Sequence, residues 1–168
     1  MKKTLMNPLL IFEFSSKSDL SHWKVVNDAV MGGKSQSKLY LNAEGNGVFE
    51  GEVSLENNGG FCAVKFAFAA IALEQSKHIS IRLKGDGKEY QFRVKTHRDD
   101  SHSYVYHFKT SGDWQTIDIP IMSLYPAFRG RKLEIPNYDG SNLEEIAFLI
   151  GNKKRETFEL IIETIEVK

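Results

Sequence analysis

Short apolar runs recur along the chain at intervals of about ten residues, and polar or glycine-containing segments separate them. Most runs are rich in β-branched and aromatic residues, and several alternate apolar and polar positions, which predicts strands with one buried face. Turn signals such as Gly85-Asp86-Gly87 between the runs indicate an antiparallel sandwich. The predicted strands lie within 9–14, 47–54, 60–66, 79–84, 89–96, 103–110, 114–121, 145–151 and 157–167.

Helical signals are scarce in the sequence. The segments 18–22, 69–75 and 141–145 each suit a single turn, the first with Ser18 as its N-cap. A chain of 168 residues fits one domain. We therefore predict an all-β, single-domain antiparallel β-sandwich with a few short helical turns, spanning residues 9–168.

The two runs 89–96 and 103–110 predict a hairpin with one aromatic and one polar face. Pairing Val94 with Tyr106 satisfies both faces at once and therefore sets the expected register. A solvated polar face is the usual outcome for a sandwich strand. A concave sheet face that serves as a binding floor is the alternative, and it would bear Arg93, Lys95 and His107.

The overall charge is balanced, with 22 Lys and Arg residues against 22 Asp and Glu residues. A dedicated binder of nucleic acid or another polyanion usually carries a basic excess, so this balance argues against that class. Two basic clusters occur, at 129–132 and at 153–155. The second suits a hairpin turn between the last two predicted strands, where solvated charges are ordinary.

The compartment is predicted from the cysteine content and from the N-terminus. Cys62 is the single cysteine, so no internal disulfide can form, and its place in an apolar run predicts a buried, inert thiol. No apolar run approaches the roughly 20 residues that span a bilayer. Asn7-Pro8 and Glu13 interrupt the apolar start, which we interpret as the first strand. The prediction is a cytoplasmic protein without a transmembrane segment.

The candidate chemistry yields no prediction of catalysis, metal or cofactor. Gly33-Lys34-Ser35 resembles the end of a phosphate-binding loop, but Asp28 stands where that motif needs its first glycine. The expected hairpin register separates His97 from His107 by roughly 13 Å, too far for both to bind one zinc ion. No serine lies in a nucleophile elbow, and nothing distinguishes Asp28 from surface acids as a catalytic group.

An ordered series of features nevertheless points to a family. It begins with Trp23 and Asn27-Asp28-x-Val30-Met31-Gly32-Gly33-x-Ser35 and ends with Phe128-Arg129-Gly130-Arg131. Between them lie Phe49-x-Gly51-x-Val53-Ser54, Gly59-Gly60-Phe61, Gly85-Asp86-Gly87-x-x-Tyr90, Trp114 and Ile119-Pro120. This series resembles the complex I intermediate-associated protein 30 family over nearly the whole chain.

The resemblance implies a galactose-binding-like β-sandwich, or jelly roll, of an assembly or chaperone-like type. In mitochondria, that family is associated with building the NADH:ubiquinone oxidoreductase, and no cofactor or catalytic residue is established for it. Because the sequence begins at the domain, without a transit sequence, we expect a stand-alone bacterial member. The expected partner is a protein, with respiratory-complex subunits or assembly intermediates as the leading candidates.

Two segments are the candidate binding loops, and each has a structural alternative. In the first loop, Asp28 can accept backbone N–H groups, and glycines can adopt positive φ, so the signature could hold the loop's shape. Its apolar residues Val30 and Met31 would then insert into the sandwich below. In the second loop, Phe128 could anchor a turn with solvated arginines. The candidate partner or ligand residues are Asn27, Asp28, Met31, Gly32, Gly33, Ser35, Phe128, Arg129 and Arg131.

Three functions follow as hypotheses. The first is a non-enzymatic protein-binding module that acts through these two loops. The second is a carbohydrate-binding module in which Trp23, Trp114 or Tyr138 stacks on sugar rings, if those side chains point outward. The third is an RNA-associated domain, which the balanced charge disfavours.

Overall fold

Two antiparallel sheets form the fold in a computed structural model that describes residues 9–28, 32–73 and 76–168. This confirms the predicted all-β sandwich. The strands are β1 (Leu9–Glu13), β2 (Trp23–Asn27), β3 (Gln36–Leu41), β4 (Gly47–Val53), β5 (Cys62–Ile71), β6 (His78–Lys84), β7 (Glu89–Lys95), β8 (Ser103–Lys109), β9 (Trp114–Pro120), β10 (Tyr125–Phe128), β11 (Arg131–Lys132), β12 (Leu143–Ile150) and β13 (Glu156–Val167).

The strand order places β13 at the centre of one sheet and β7 at the centre of the other. The six-stranded sheet runs β3-β4-β13-β6-β9, with β1 paired to the second half of β13. The seven-stranded sheet runs β11-β10-β8-β7-β12-β5-β2. In both sheets the strands alternate inward and outward side chains, so each sheet has one core face and one outer face.

The core lies between the sheets and consists of interlocked aromatic and aliphatic side chains. Phe49 contacts Phe158 within one sheet, and Tyr90 reaches Phe158 across the sandwich. At the β2 edge of the seven-stranded sheet, Trp23 stacks on Phe66 with a centroid distance of 4.8 Å. Edge-to-face and offset contacts of this kind add to the area that the rings bury, so they fix how the two sheets pack.

The predicted hairpin exists, but its register differs by two residues. Val94 pairs with Tyr104 rather than with Tyr106. The two faces keep their predicted residues because a shift of two preserves the alternation. The connection is longer than expected because His97 and Asp100 form a turn of their own, in which the amide of Asp100 donates to the carbonyl of His97. Lys95 Nζ also donates to the carbonyl of Asp100, at 2.7 Å.

Several local predictions were wrong. The cluster 153–155 connects β12 to β13, which lie in different sheets, so it is a crossover rather than a hairpin turn. The segment 141–145 enters strand β12, residues 69–71 continue β5, and 18–22 contains turns without a helix. Residues 74–75 lie outside the described part. In the part of the chain that the structure describes, short 3-10 turns instead include Glu56–Asn58 and Ile121–Ser123.

Candidate functional site

Asp28 is the hub of the first candidate loop. Its side chain is buried, with the residue only 1% exposed. One carboxylate oxygen accepts the amide of Ser35 at 3.0 Å, and the other accepts the hydroxyl of Ser35 at 2.5 Å. That second oxygen also accepts the amides of Gly60 at 2.6 Å and Phe61 at 3.3 Å. The carboxylate therefore joins the signature loop to the segment before β5.

These contacts determine the ionisation of Asp28. Burial acts to raise the pKa of the carboxyl, but the hydrogen bonds from Ser35, Gly60 and Phe61 outweigh it and hold the pKa below its ordinary value. Asp28 is thus a buried acceptor of backbone N–H groups, which is the structural alternative stated above for this loop. It is an ionised group whose carboxylate accepts four hydrogen bonds from within the fold.

The glycines of the signature serve two different purposes. Gly32 adopts φ +90°, as predicted, whereas Gly33 does not adopt a positive φ. A methyl group at Gly33 would overlap the carboxyl group of Asp28, and so would one at Gly59. These two glycines are needed for close approach to the hub rather than for backbone freedom.

Of the remaining residues of the first loop, some support its shape and the others lie outside the described residues. Asn27 accepts the hydroxyl of Ser37 at 2.7 Å, and the Ser35 hydroxyl, which donates to Asp28, accepts the amide of Ser54 at 2.8 Å. The predicted insertion of Val30 and Met31 lies outside the described residues.

The second candidate loop is the tip of the β10–β11 hairpin. Phe128 is 40% exposed, and the guanidinium carbon of Arg129 lies 5.3 Å from its ring centroid. Arg131 pairs with Phe128 across the hairpin and is exposed. This tip and the Asp28 loop lie at opposite edges and opposite ends of the seven-stranded sheet, roughly 25 Å apart across the strands. The two loops therefore do not form one continuous site.

The outer face of the seven-stranded sheet is a further candidate surface, separate from the two loops. The strand registers put five basic side chains on this face and two acidic ones. We call it the basic face. Its basic residues are Lys24, Lys65, Arg93, Lys95 and Lys109, and its acidic residues are Glu89 and Glu145.

The outer face of the six-stranded sheet has the opposite bias. Glu159 lies directly opposite Glu50 in the register. Burial and this neighbouring carboxyl raise the pKa of Glu159. The acidic residues of the face are Glu13, Glu50, Glu52, Asp118, Glu159 and Glu166, against Lys38, Arg82 and Lys84. The zero net charge therefore conceals two oppositely charged faces, so net charge alone is no argument against an anionic ligand.

Arg93 lies at the centre of the basic face. Its Nε and Nη2 atoms donate to Gln91 Oε1 at 3.0 Å and 2.7 Å. Within the described residues, no carboxylate lies within 4.0 Å of the guanidinium. Its cross-strand neighbours Val105 and Ala147 are buried, and the burial of Arg93 lowers the pKa of its side chain. Arg93 is a partly desolvated cation for which the described residues provide no anionic partner.

Tyr125 and His107 form a wall beside Arg93. Tyr125 pairs with Val105, the residue that also pairs with Arg93. The rings of His107 and Tyr125 stack at a centroid distance of 5.9 Å, and His107 Nε2 lies 2.6 Å from the tyrosine oxygen. The ammonium of Lys132 approaches the same tyrosine ring, at 5.7 Å from its centroid. A cavity of about 520 Å³ adjoins this wall and is lined in part by Gln91, His107 and Lys109.

The aromatic residues of the carbohydrate hypothesis are largely in the core. Trp23 is 7% exposed and Tyr138 is 1% exposed, so neither points outward as a sugar platform. The Tyr138 hydroxyl instead donates to the carbonyl of Asn142 at 2.7 Å. Trp114 alone of the three is partly exposed, and Arg82 lies 5.7 Å from its ring.

Other chemistry is limited in the described part of the chain. It holds no group of three or more His, Cys, Asp and Glu side chains arranged for a metal ion. Nor does any helix in that part have the length and apolar character that crossing a membrane requires.

Cys62 is fully buried, as predicted, and burial raises the pKa of its thiol to about 11. We expect iodoacetamide at pH 8 to leave the folded protein unlabelled and to label Cys62 readily after unfolding in guanidinium, because only the thiolate reacts. Mass spectrometry of the alkylated peptide measures both rates. Labelling of the folded protein within about tenfold of the unfolded rate would contradict the buried, protonated thiol.

The sequence of most of the chain matches a protein-family model. The model described as Complex I intermediate-associated protein 30 matches residues 12–162. The chain belongs to this family. The relatives called Complex I intermediate-associated protein 30, mitochondrial, include one from Drosophila melanogaster, 25% identical over 73% of this chain and 49% of its own length. One from Mus musculus is 23% identical over 94% of this chain and 55% of its own length.

The chain thus spans about half the length of these two relatives. Both are mitochondrial proteins, so the cytoplasmic and bacterial assignment of this family member stays a prediction.

Solved structures with the same fold include carbohydrate-binding modules. A family 11 module from Clostridium thermocellum, in complex with a β-1,3-1,4-mixed-linked tetrasaccharide, has a TM-score of 0.74 at 16% identity. The alignment covers 98% of this chain and 96% of the module. An exo-β-agarase has a TM-score of 0.61 at 11% identity, with 24% of that chain covered. At these identities the likeness shows the jelly-roll fold alone.

Sequence reasoning found part of the basic face and missed the rest. It placed Arg93, Lys95 and His107 on one polar face. It missed Lys24 and Tyr125 because β2 and β10 are short strands that were not predicted. An available signal was the apolar run Tyr125-Pro126-Ala127-Phe128 directly before the basic tip.

Proposed function

We propose that residues 9–168 form a non-catalytic, protein-binding domain that acts in the assembly of a respiratory complex. Membership of the family supports the assembly role, since its mitochondrial relatives are named for association with complex I intermediates. The observation that carries the choice of surface is the basic face, in which a partly desolvated arginine has no anionic partner among the residues that the structure describes. A partner protein with an acidic surface would supply the missing charge.

The β10–β11 tip extends this surface, whereas the Asp28 loop contributes mainly structure. Lys132 pairs with Ala127, and Ala127 pairs on its other side with Ser103 of β8. These paired residues lie on the same face of the sheet, so Lys132 continues the basic face at the sheet edge. Phe128, Arg129 and Arg131 would then form an additional contact at the hairpin edge, because strand alternation puts Phe128 and Arg131 on the side opposite Tyr125 and Lys132. An exposed aromatic residue beside arginines is a frequent interface combination.

We expect capture experiments to separate the two outer faces. The immobilised wild-type domain should retain respiratory-complex subunits from a detergent extract of source-cell membranes. The double variant Lys65→Met/Arg93→Met should retain at least about tenfold less, because each lost charge weakens association. The matched control, Arg82→Met/Lys84→Met, removes the same charge from the opposite outer face and should capture as the wild type does.

Quantitative mass spectrometry of the retained proteins measures these differences, and a thermal melt verifies that each variant is folded. Equal capture by both double variants would reject the basic face as the contact surface. Retention of no respiratory-complex subunit by the wild type would reject the assembly role.

Carbohydrate binding remains the second candidate because the fold is shared with carbohydrate-binding modules. Of the three aromatic residues that the sequence suggested for stacking on a sugar, Trp114 remains, because Trp23 and Tyr138 are buried. A titration of the wild type with mixed-linked glucan oligosaccharides distinguishes the candidates. Saturable binding that Trp114→Ala abolishes would favour the sugar, and no binding at millimolar ligand would remove it.

A further inference from the structure

We propose that Arg93 is the receptor for a carboxylate side chain, and that its ligand is an extended acidic segment of a partner protein lying along β7. This inference rests on the proposed function and specifies the chemistry of its partner. It assigns the recognition to one guanidinium group, whose free edge, surroundings and neighbouring cations together define the ligand.

The free edge of the guanidinium selects a two-oxygen acceptor. Gln91 Oε1 occupies the edge formed by Nε and Nη2. The end-on edge formed by Nη1 and the second hydrogen of Nη2 has no acceptor within the described residues. Two parallel N–H groups on this edge match the two oxygens of a carboxylate. Gln91 meanwhile fixes the plane of the guanidinium, so the free edge is already oriented.

The surroundings make the missing anion energetically important. Val105 is 1% exposed and Ala147 is 4% exposed, and these flanking residues give Arg93 a dry apolar floor. A cation on such a floor has lost part of its hydration without gaining a counter-charge. The same low local polarity strengthens its attraction to an incoming carboxylate. Binding of a carboxylate would therefore give this partly dehydrated cation the counter-charge that the described residues do not supply.

The neighbouring cations indicate an extended segment rather than a single ion. Arg93 and Lys95 project from the same face of β7, two residues and roughly 6.6 Å apart. Alternate side chains of an extended peptide have the same spacing, so two carboxylates separated by one residue could pair with both cations. Lys95 uses one N–H group for the carbonyl of Asp100 and retains others for such a ligand.

The aromatic wall favours a protein over a nucleic acid. Single-stranded nucleic acids gain affinity by stacking bases on exposed aromatic rings. On this face the ring of Tyr125 is already stacked with His107 and approached by Lys132. It therefore offers a polar wall for a carboxylate more readily than a platform for a base.

The test is a titration of the full chain with two blocked peptides, one alternating glutamate with serine and the other alternating glutamine with serine. Binding is followed by NMR through the Nε–H signal of Arg93 and the backbone amides of β7. We expect the glutamate peptide to bind at least about tenfold more tightly than the glutamine peptide, with the largest shifts at Arg93.

The variant Arg93→Lys distinguishes a forked receptor from general attraction, because lysine keeps the charge but loses the paired N–H edge. It should weaken binding of the glutamate peptide about tenfold, and the control Arg82→Lys should leave it unchanged. Retained affinity in Arg93→Lys, or equal affinity for both peptides, would overturn the proposal. Tighter binding of an oligouridylate than of the glutamate peptide would overturn it in favour of nucleic acid.

The outcome is separable from that of the capture experiment. If respiratory-complex subunits are captured through the basic face but the peptide result is negative, only the carboxylate receptor fails. If the peptide binds at Arg93 but no such subunit is captured, the receptor stands and the assembly role fails.

Discussion

Asp28→Ala is expected to lower the free energy of unfolding by about 3–5 kcal/mol. The substitution removes the acceptor for three backbone amides and for the Ser35 hydroxyl, and it leaves these donors without a partner in a buried loop. For a domain of this size, the melting temperature should fall by about 10 °C or more. Thermal and urea unfolding followed by circular dichroism measure the effect.

The control for this prediction is Asp19→Ala. Asp19 is exposed and its hydrogen bond is to the nearby Ser21, so its loss should change the melting temperature little. A melting temperature for Asp28→Ala within about 2 °C of the wild type would show that the hub does not stabilise the fold.

The pH dependence of stability gives a second readout of the same hub. The pKa of Asp28 is lower in the folded protein than its ordinary value of about 3.9, so the unfolded chain binds the proton first as pH falls. The stabilisation is therefore complete above about pH 5 and declines below about pH 4. Asp28→Asn should lose that part of the acid dependence. An identical acid profile in this variant would contradict the assignment.

Gly59→Ala is expected to cost about 3 kcal/mol of unfolding free energy, the second large effect. The backbone of Gly59, at φ −70° and ψ −163°, suits any residue, so the cost is purely steric. The added methyl group would overlap the carboxyl oxygen of Asp28 that binds Gly60. Urea unfolding of the variant measures the loss of stability.

A double-mutant cycle tests the cause of that effect. In the Asp28→Ala background the carboxyl is absent, so Gly59→Ala should cost much less than in the wild type. Gly87→Ala is the control, because Gly87 has a positive φ of 83° but nothing within 4 Å of the added methyl group. It should cost about 1 kcal/mol in either background. Additive effects of the substitutions at 28 and 59 would rule out the steric explanation.

The strength of the apolar pattern decided how much of the fold the sequence could predict. Long alternating runs such as those of β7 and β13 identified their strands because half of each strand is buried in the core. Four strands were missed: β10 and β11 have four residues or fewer, and β2 and β3 lie at sheet edges. The sheet to which β12 and β13 belong was not predictable from spacing, since a crossover and a hairpin turn can have the same length and composition.

The site was less predictable than the fold because its meaning depends on packing. The signature around Asp28 was recognisable as a motif. Its structural role depends on hydrogen bonds from Gly60 and Phe61, which are more than 30 residues away in the sequence. Likewise, the charge of Arg93 was visible, but its missing partner was not. Charge segregation between two faces requires the strand registers, which net charge cannot reveal.

Lysine footprinting of the complex recovered from the capture experiment tests the binding surface most directly. The complex and the free domain are acetylated briefly, and the labelled sites are quantified by mass spectrometry. We predict that Lys65 and Lys95 become protected in the complex, while Lys38 and Lys84 on the opposite outer face remain labelled as in the free domain. Protection of Lys38 and Lys84 with unchanged labelling of Lys65 and Lys95 would contradict the account.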